Sequence, residues 1–281
     1  MLKYISLIVA VLTFSSSLLF AQTDLKQNAF GSDNLLKDWS VGFNYGATKF
    51  NGDIAQYDYS SSTQTGLAYQ DEDFKELRYA FSFSLEKKID EKTSISVEHV
   101  VGDFAGLRRP NEYIGFETDD PYDIIEVGQI PEFPDGTGQK FVTSFNETDV
   151  LLNYDLNSDI SKLIKIEMPK NISIIVKAGF GISQFRSLRT NLYTDEYIYS
   201  FGYDELSKNE SDVVTESVMV FGAKIKYKML GGVSLLLDYT LRVNNSDRWD
   251  SSIMKSDNAK DKFSLLSLGI SYDLGTVVAK N

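Results

Sequence analysis

The chain has 281 residues, a formal net charge of −12, 16 tyrosines, 18 phenylalanines and no cysteine. Its acidic balance argues against nucleic acid or another polyanion as partner. The absence of cysteine excludes a lipoprotein lipobox, a disulfide framework and a thiolate metal site.

Lys3 precedes an apolar run over residues 4–20 that ends at Ala21. This is the pattern of a secretory signal peptide, so 1–21 is expected to be removed on export. Residues 22–37 are polar and without period, and are expected to be a periplasmic lead-in. No later run is apolar enough for a membrane helix. A β-barrel stays open as a reading, because only every second strand residue faces lipid and averaged hydropathy hides it.

The first strand is expected over 38–50. Trp39, Val41, Phe43, Tyr45 and Ala47 share one face; Ser40, Gly42, Asn44, Gly46 and Thr48 share the other. A loop follows over 51–75. The second strand (76–88) puts Leu77, Tyr79, Phe81, Phe83 and Leu85 outward. The tight turn 89–92 leads to the third (93–104), where Ile95, Val97, His99 and Val101 alternate with Ser96, Glu98, Val100 and Gly102. Residues 105–145 hold Pro110, Pro121, Pro131 and Pro134 and are expected to be loop. The fourth strand (146–156) faces Val150, Leu152 and Tyr154 outward. The connector 157–170 has room for a helical turn. The fifth strand spans 171–187, and a tyrosine-dense loop spans 188–212. The sixth (213–228) and seventh (233–243) are joined by the turn 229–232. A loop over 244–261 precedes the last strand, 262–274, where Leu266, Leu268, Ile270, Tyr272 and Leu274 hold every second position.

These elements predict an all-β fold: an eight-stranded antiparallel up-and-down transmembrane barrel over 38–274, with a C-terminal tail over 275–281. Long and short connections alternate, as extracellular loops and periplasmic turns do in outer-membrane barrels. Trp39, Tyr154, Tyr227 and Tyr272 then fall at the periplasmic ends with outward parity, as an aromatic girdle. Arg78, Glu86, Glu98, Lys177, Glu216, Lys224, Lys226, Asp238 and Arg242 face inward and are expected to pair, because an unpaired buried charge is very costly. A barrel of this size has room only for side chains, so an open pore is not expected.

The stretch WSVGFNYGATKFNGD (residues 39–53), with Phe50-Asn51-Gly52-Asp53 at its end, resembles the opening strand of small outer-membrane β-barrel proteins of Bacteroidota, of OmpA/OmpX-like architecture. Ser267, Gly269, Tyr272 and Leu274 are similar to the C-terminal signal read by the barrel-assembly machinery. The resemblance implies outer-membrane lipid and that machinery as partners. One branch, PorG-like proteins of type IX secretion and gliding, matches through the first-strand pattern and implies envelope protein partners.

Chemistry is thinly represented. His99 is the sole histidine, but Ser96 and Glu98, the nearest nucleophile and acid, have opposite strand parity. Asp119, Asp120 and Asp123 lack calcium-loop spacing and read as a solvated loop. No catalytic or metal residue is assigned and no cofactor is expected. Tyr57, Tyr59, Tyr193, Tyr197, Tyr199 and Tyr203 are the candidates for a loop binding surface, since tyrosine offers rigid contact area with a polar tip. The expected role is that of a non-enzymatic structural or interaction barrel in the outer membrane of a Gram-negative bacterium. The alternatives are an envelope-machine subunit, a lipid A-modifying enzyme and a secreted soluble binding barrel.

Overall fold

The computed structural model describes residue 36 and residues 38–52, 74–108, 139–192, 194–204, 212–251 and 260–275. In chain order these form β1 (Trp39–Asn51), β2 (Arg78–Lys88), β3 (Thr93–Arg108), β4 (Gln139–Asp155), helix α1 (Asn157–Ile164), β5 (Ile172–Asn191), β6 (Tyr197–Phe201), β7 (Val214–Lys228), β8 (Val233–Asn244) and β9 (Lys262–Asp273).

All pairings are antiparallel, and the sheet closes on itself. β1 bonds to β2 on one side and β9 on the other; β4 bonds to β3 and β5. Eight strands make the ring, and β6 is a short ninth strand paired with β5 outside it. Closure leaves the ring without an edge. The seam between β1 and β9 depends on glycine. Gly269 lies opposite Asn44, and a Cβ there would collide with the Asn44 side chain and the Phe43 carbonyl.

Several strands run further than their alternation suggests. β3 continues to Arg108 and β4 begins at Gln139, so residues 105–108 and 139–145 are not loop. β5 reaches Asn191, and β6 occupies part of the expected 188–212 loop. The connector after β4 folds as α1, and residues 230–232 form a 3-10 turn in which Gly231 has φ 76°.

The extra length has a physical signature: along the same strand, the alternation inverts. On β5, Ile172, Ile174, Val176, Phe180 and Ile182 point outward, then Gln184 and Arg186 take over that face. Inward, Ser173, Lys177 and Ser183 give way to buried Phe185. On β4, Val150, Leu152 and Tyr154 face outward near one end, with Lys140, Ser144 and Asn146 on that face near the other. β1 passes from Tyr45 to Lys49 outside while Phe50 is buried inside. β9 passes from Lys262 and Ser264 to Leu266, Leu268 and Ile270 outside while Phe263 is buried inside.

The barrel therefore has two halves. The half nearer the short connections is apolar outside and mostly polar inside; the half nearer the long connections is polar outside and holds an aromatic cluster inside. Ile172 to Ile182 on β5 covers roughly 33 Å of strand, or roughly 23 Å of height at a 45° tilt, close to the ~25 Å apolar band of a transmembrane barrel.

Candidate functional site: the lumen and its two rims

The lumen is filled in layers. In the long-connection half, Phe50, Phe104, Phe141, Phe145, Phe185 and Phe263 converge from five strands and are buried. Phe104 stacks on Phe50 at 5.4 Å and on Phe263 at 4.8 Å, in the range where aromatic pairs gain beyond area burial. Trp249, from the connection after β8, is fully buried against Phe104 and Phe263. Its carbonyl accepts from the Thr143 and Ser187 hydroxyls, and its amide donates to Asp261 at 2.7 Å. Within the expected 244–261 loop, Trp249 is thus a plug in the lumen.

Beneath the aromatics lies a charged layer. Lys177 bridges Glu98 at 3.2 Å and Asp238 at 2.7 Å. Arg242 lies 2.5 Å from Glu147, 3.6 Å from Asp149 and 4.0 Å from Glu98, with its guanidinium over the Phe263 ring at 5.5 Å. Strands far apart in sequence supply these partners: β3, β4, β5 and β8 each place one or two charges at the same depth. Nearer the short connections, Lys224 pairs with Glu86 and Lys226 with Asp273, each at 3.1 Å. Below them a cavity of about 360 Å³ opens, lined by Ser40, Glu86, Lys88, Ser94, Asn153, Ser173, Lys226 and Asp273 among others.

The expected interior pairs are present, with two participants that sequence reading did not count among the inner charges, Glu147 and Asp149. Both have inward parity within the expected fourth strand. Arg78 and Glu216 lie toward the long-connection rim instead; Glu216 accepts from Ser246 and Asn244 and faces Arg248 at 3.6 Å.

His99 faces outward, with Nδ1 3.0 Å from Thr148 Oγ1, its cross-strand partner. Ser96 and Glu98 are inside the wall. The three never meet, so no acid–base arrangement forms around the histidine. Among the described residues no group of His, Asp or Glu is placed to hold a metal ion. Asp119, Asp120 and Asp123 lie outside the described residues, as do Tyr57, Tyr59 and Tyr193. The other loop tyrosines sit on or beside β6: Tyr199 packs edge-on to Phe201 at 5.3 Å, Tyr197 Oη lies 3.2 Å from Ser200 Oγ, and the Tyr203 carbonyl accepts from Ser200. All are half-buried.

At the short-connection rim, Trp39, Tyr154, Tyr227 and Tyr272 occupy outward positions near strand ends. Lys87 lies over the Trp39 ring at 4.8 Å. Tyr154 donates to Asp159 of α1 at 2.9 Å, and Lys92 bridges Asp159 at the same distance. Together Lys92 and Tyr154 hold the Asp159 carboxyl below the usual aspartate range, and the same bonds raise Lys92. Of the closing-strand residues, Ser267 and Gly269 face the lumen, Tyr272 faces out, and Leu274 follows β9 directly.

No protein-family model matches this chain, and no curated protein matches it. Solved structures resemble it in part. Neisserial surface protein A aligns at 11% identity and TM-score 0.38, over 84% of this chain and 97% of its own. A major outer membrane protein from Thermus thermophilus aligns at 14% and 0.37, over 83% and 98%. Ail, the attachment invasion locus protein of Yersinia pestis, solved with the heparin analogue sucrose octasulfate, aligns at 7% and 0.36, over 83% and 97%.

Proposed function

We propose that this chain is an integral outer-membrane barrel that works as a structural or interaction protein and not as an enzyme or a pore. One observation carries the membrane reading. Large apolar side chains stand bare on the outside of all eight ring strands, with Leu268 68% and Phe180 69% exposed. A continuous belt of this size is not stable in water and is the lipid-facing surface of a transmembrane barrel. In this reading the short connections lie in the periplasm and the long ones outside the cell.

The lumen supports the second half of the reading. Aromatic packing, a plugging tryptophan and a layer of ion pairs fill it, so a solute has no straight path. Interaction is then left to the long extracellular connections, where the Tyr197–Phe201 strand presents half-buried aromatics. The Phe50-Asn51-Gly52-Asp53 pattern supports a relation to the small barrels of Bacteroidota, and Ser267, Gly269, Tyr272 and Leu274 are proposed as the assembly signal.

The test is membrane behaviour. The exported protein is expected to resist carbonate extraction, to shift its migration on SDS gels with heating, and to give no conductance in planar bilayers. A freely soluble mature protein would sink the proposal.

A further inference from the structure

The surface left over by this reading is the short-connection end. Helix α1 buries none of its residues. Ile160, Leu163 and Ile164 fall at i, i+3 and i+4, on one arc about 100° wide. Leu163 is 82% exposed, and Ile166, just past the helix, is exposed as well. The helix is tied to the barrel through its first turn. Asp159 is held by Tyr154 and Lys92, and the Asn157 side chain bonds the Ile172 carbonyl and the Ile174 amide. Beyond that tether Leu163, Ile164 and Ile166 are left bare, with Ile160 half-exposed.

The charges fit one kind of surface. Within the connection, Asp159 is already paired with Lys92, which leaves Lys162, Lys165 and Lys170 against Glu167. The other short connections repeat the combination. Lys87 and Lys88 precede exposed Ile89, and Lys228 precedes exposed Met229 and Leu230, the last 96% exposed. Acidic Asp90 and Glu91 share the first of these turns, where the Lys92 and Thr93 amides donate to the Asp90 carboxylate. Bare aliphatics beside lysines, at the edge of an apolar belt, are the composition of a segment that lies in a lipid interface.

We propose that these connections form a collar seated in the periplasmic leaflet of the outer membrane. α1 lies flat there, with Ile160, Leu163 and Ile164 among acyl chains and its lysines at acidic phospholipid headgroups. The inference rests on the belt being lipid-facing and adds an occupant for a surface the barrel leaves bare. Continuity favours lipid over a protein partner, because α1 starts three residues after Tyr154 and is hydrogen-bonded to it at the belt's edge.

The chain has no cysteine, so single spin labels report without background. Labels at Leu163→Cys, Lys162→Cys and, as a belt control, Leu268→Cys are placed in the full chain. The protein is reconstituted in nanodiscs of phosphatidylethanolamine and phosphatidylglycerol. Collision with oxygen is then compared with collision with a water-soluble nickel chelate. The Leu163 label is expected to favour oxygen as the Leu268 label does, the Lys162 label to favour nickel, and Leu163 to move toward water when phosphatidylcholine replaces the acidic lipid. A Leu163 label in water beside a lipid-exposed Leu268 label overturns the collar and leaves the barrel reading intact. A Leu163 label shielded from both reagents also overturns it, since a protein or a second copy would then cover the helix. A Leu268 label in water removes the membrane reading itself.

Discussion

The two halves of this barrel obey opposite rules on the same strands. In the half by the short connections, lipid-facing positions carry Val, Leu, Ile, Phe and Tyr, and the interior carries Ser, Gly, Lys, Glu and Asp. In the half by the long connections the interior is built around phenylalanines and Trp249, with Thr143, Ser187 and Arg189 buried beside them, and the exterior carries Lys49, Asn146, Gln184 and Lys262. The backbone does not change between them; the solvent outside does. Where lipid surrounds the wall, apolar groups gain nothing by turning inward, and polar groups are driven inside to find partners. Where water surrounds it, the ordinary hydrophobic effect returns and the aromatics turn in. The line where the pattern inverts is therefore a reading of where the bilayer ends.

The largest effect should come from the charged layer between the halves. Arg242→Leu strands Glu147 and Asp149 in a dry interior, and breaking a buried pair by removing one partner costs about 3–5 kcal/mol. Unfolding in urea from detergent micelles measures it, and an unchanged midpoint would show that the layer is wet. The next effect tests the inversion itself. Val150 and Asn146 both face outward on β4, four residues apart. Val150→Arg should cost about 2–4 kcal/mol in a bilayer, whereas Asn146→Arg should stay within about 0.5 kcal/mol as an ordinary surface change. Equal penalties would erase the comparison.

Much of the lipid-facing half was legible because its contrast is local. Leu266, Leu268 and Ile270 with Ser267 and Gly269 between them can be read without knowing the fold. The other half was not, for two physical reasons. Its alternation has the opposite sense, so Phe141 and Phe145 among Lys140, Ser144 and Asn146 do not extend the pattern that Val150 and Leu152 set. Its packing is also non-local. Nothing around Trp249 marks it as a plug, since Thr143 and Ser187 come from other strands and Asp261 lies twelve residues on in the same connection. The ion-pair layer was half legible: parity put the charges inside, while which carboxylate meets Lys177 or Arg242 depends on register around the ring.

The smallest predicted effect concerns the tether of α1. The Asp159 carboxyl is depressed, so its bond to Lys92 and Tyr154 is fully made above the ordinary aspartate value of 3.8 and is lost as pH falls through the lower folded value. Lys92 is raised, so its share is complete below 10.5 and is lost above the higher folded value. Amide protection in α1, taken relative to the intrinsic exchange rate at each pH, should therefore be highest between these limits and fall in acid. In Asp159→Asn the acid dependence should flatten, and an unchanged acid response would show that another group holds the helix.

The central claim is that the inversion on each strand marks the membrane edge. Single cysteines along the outward face of β5, introduced into a chain with none, test it when exposed to a membrane-impermeant maleimide in intact outer membranes. The account predicts protection at Ile174, Val176, Phe180 and Ile182 and labelling at Gln184 and Thr190, with the change falling between Ile182 and Gln184. Uniform labelling along the strand, or protection that continues to Thr190, would contradict it.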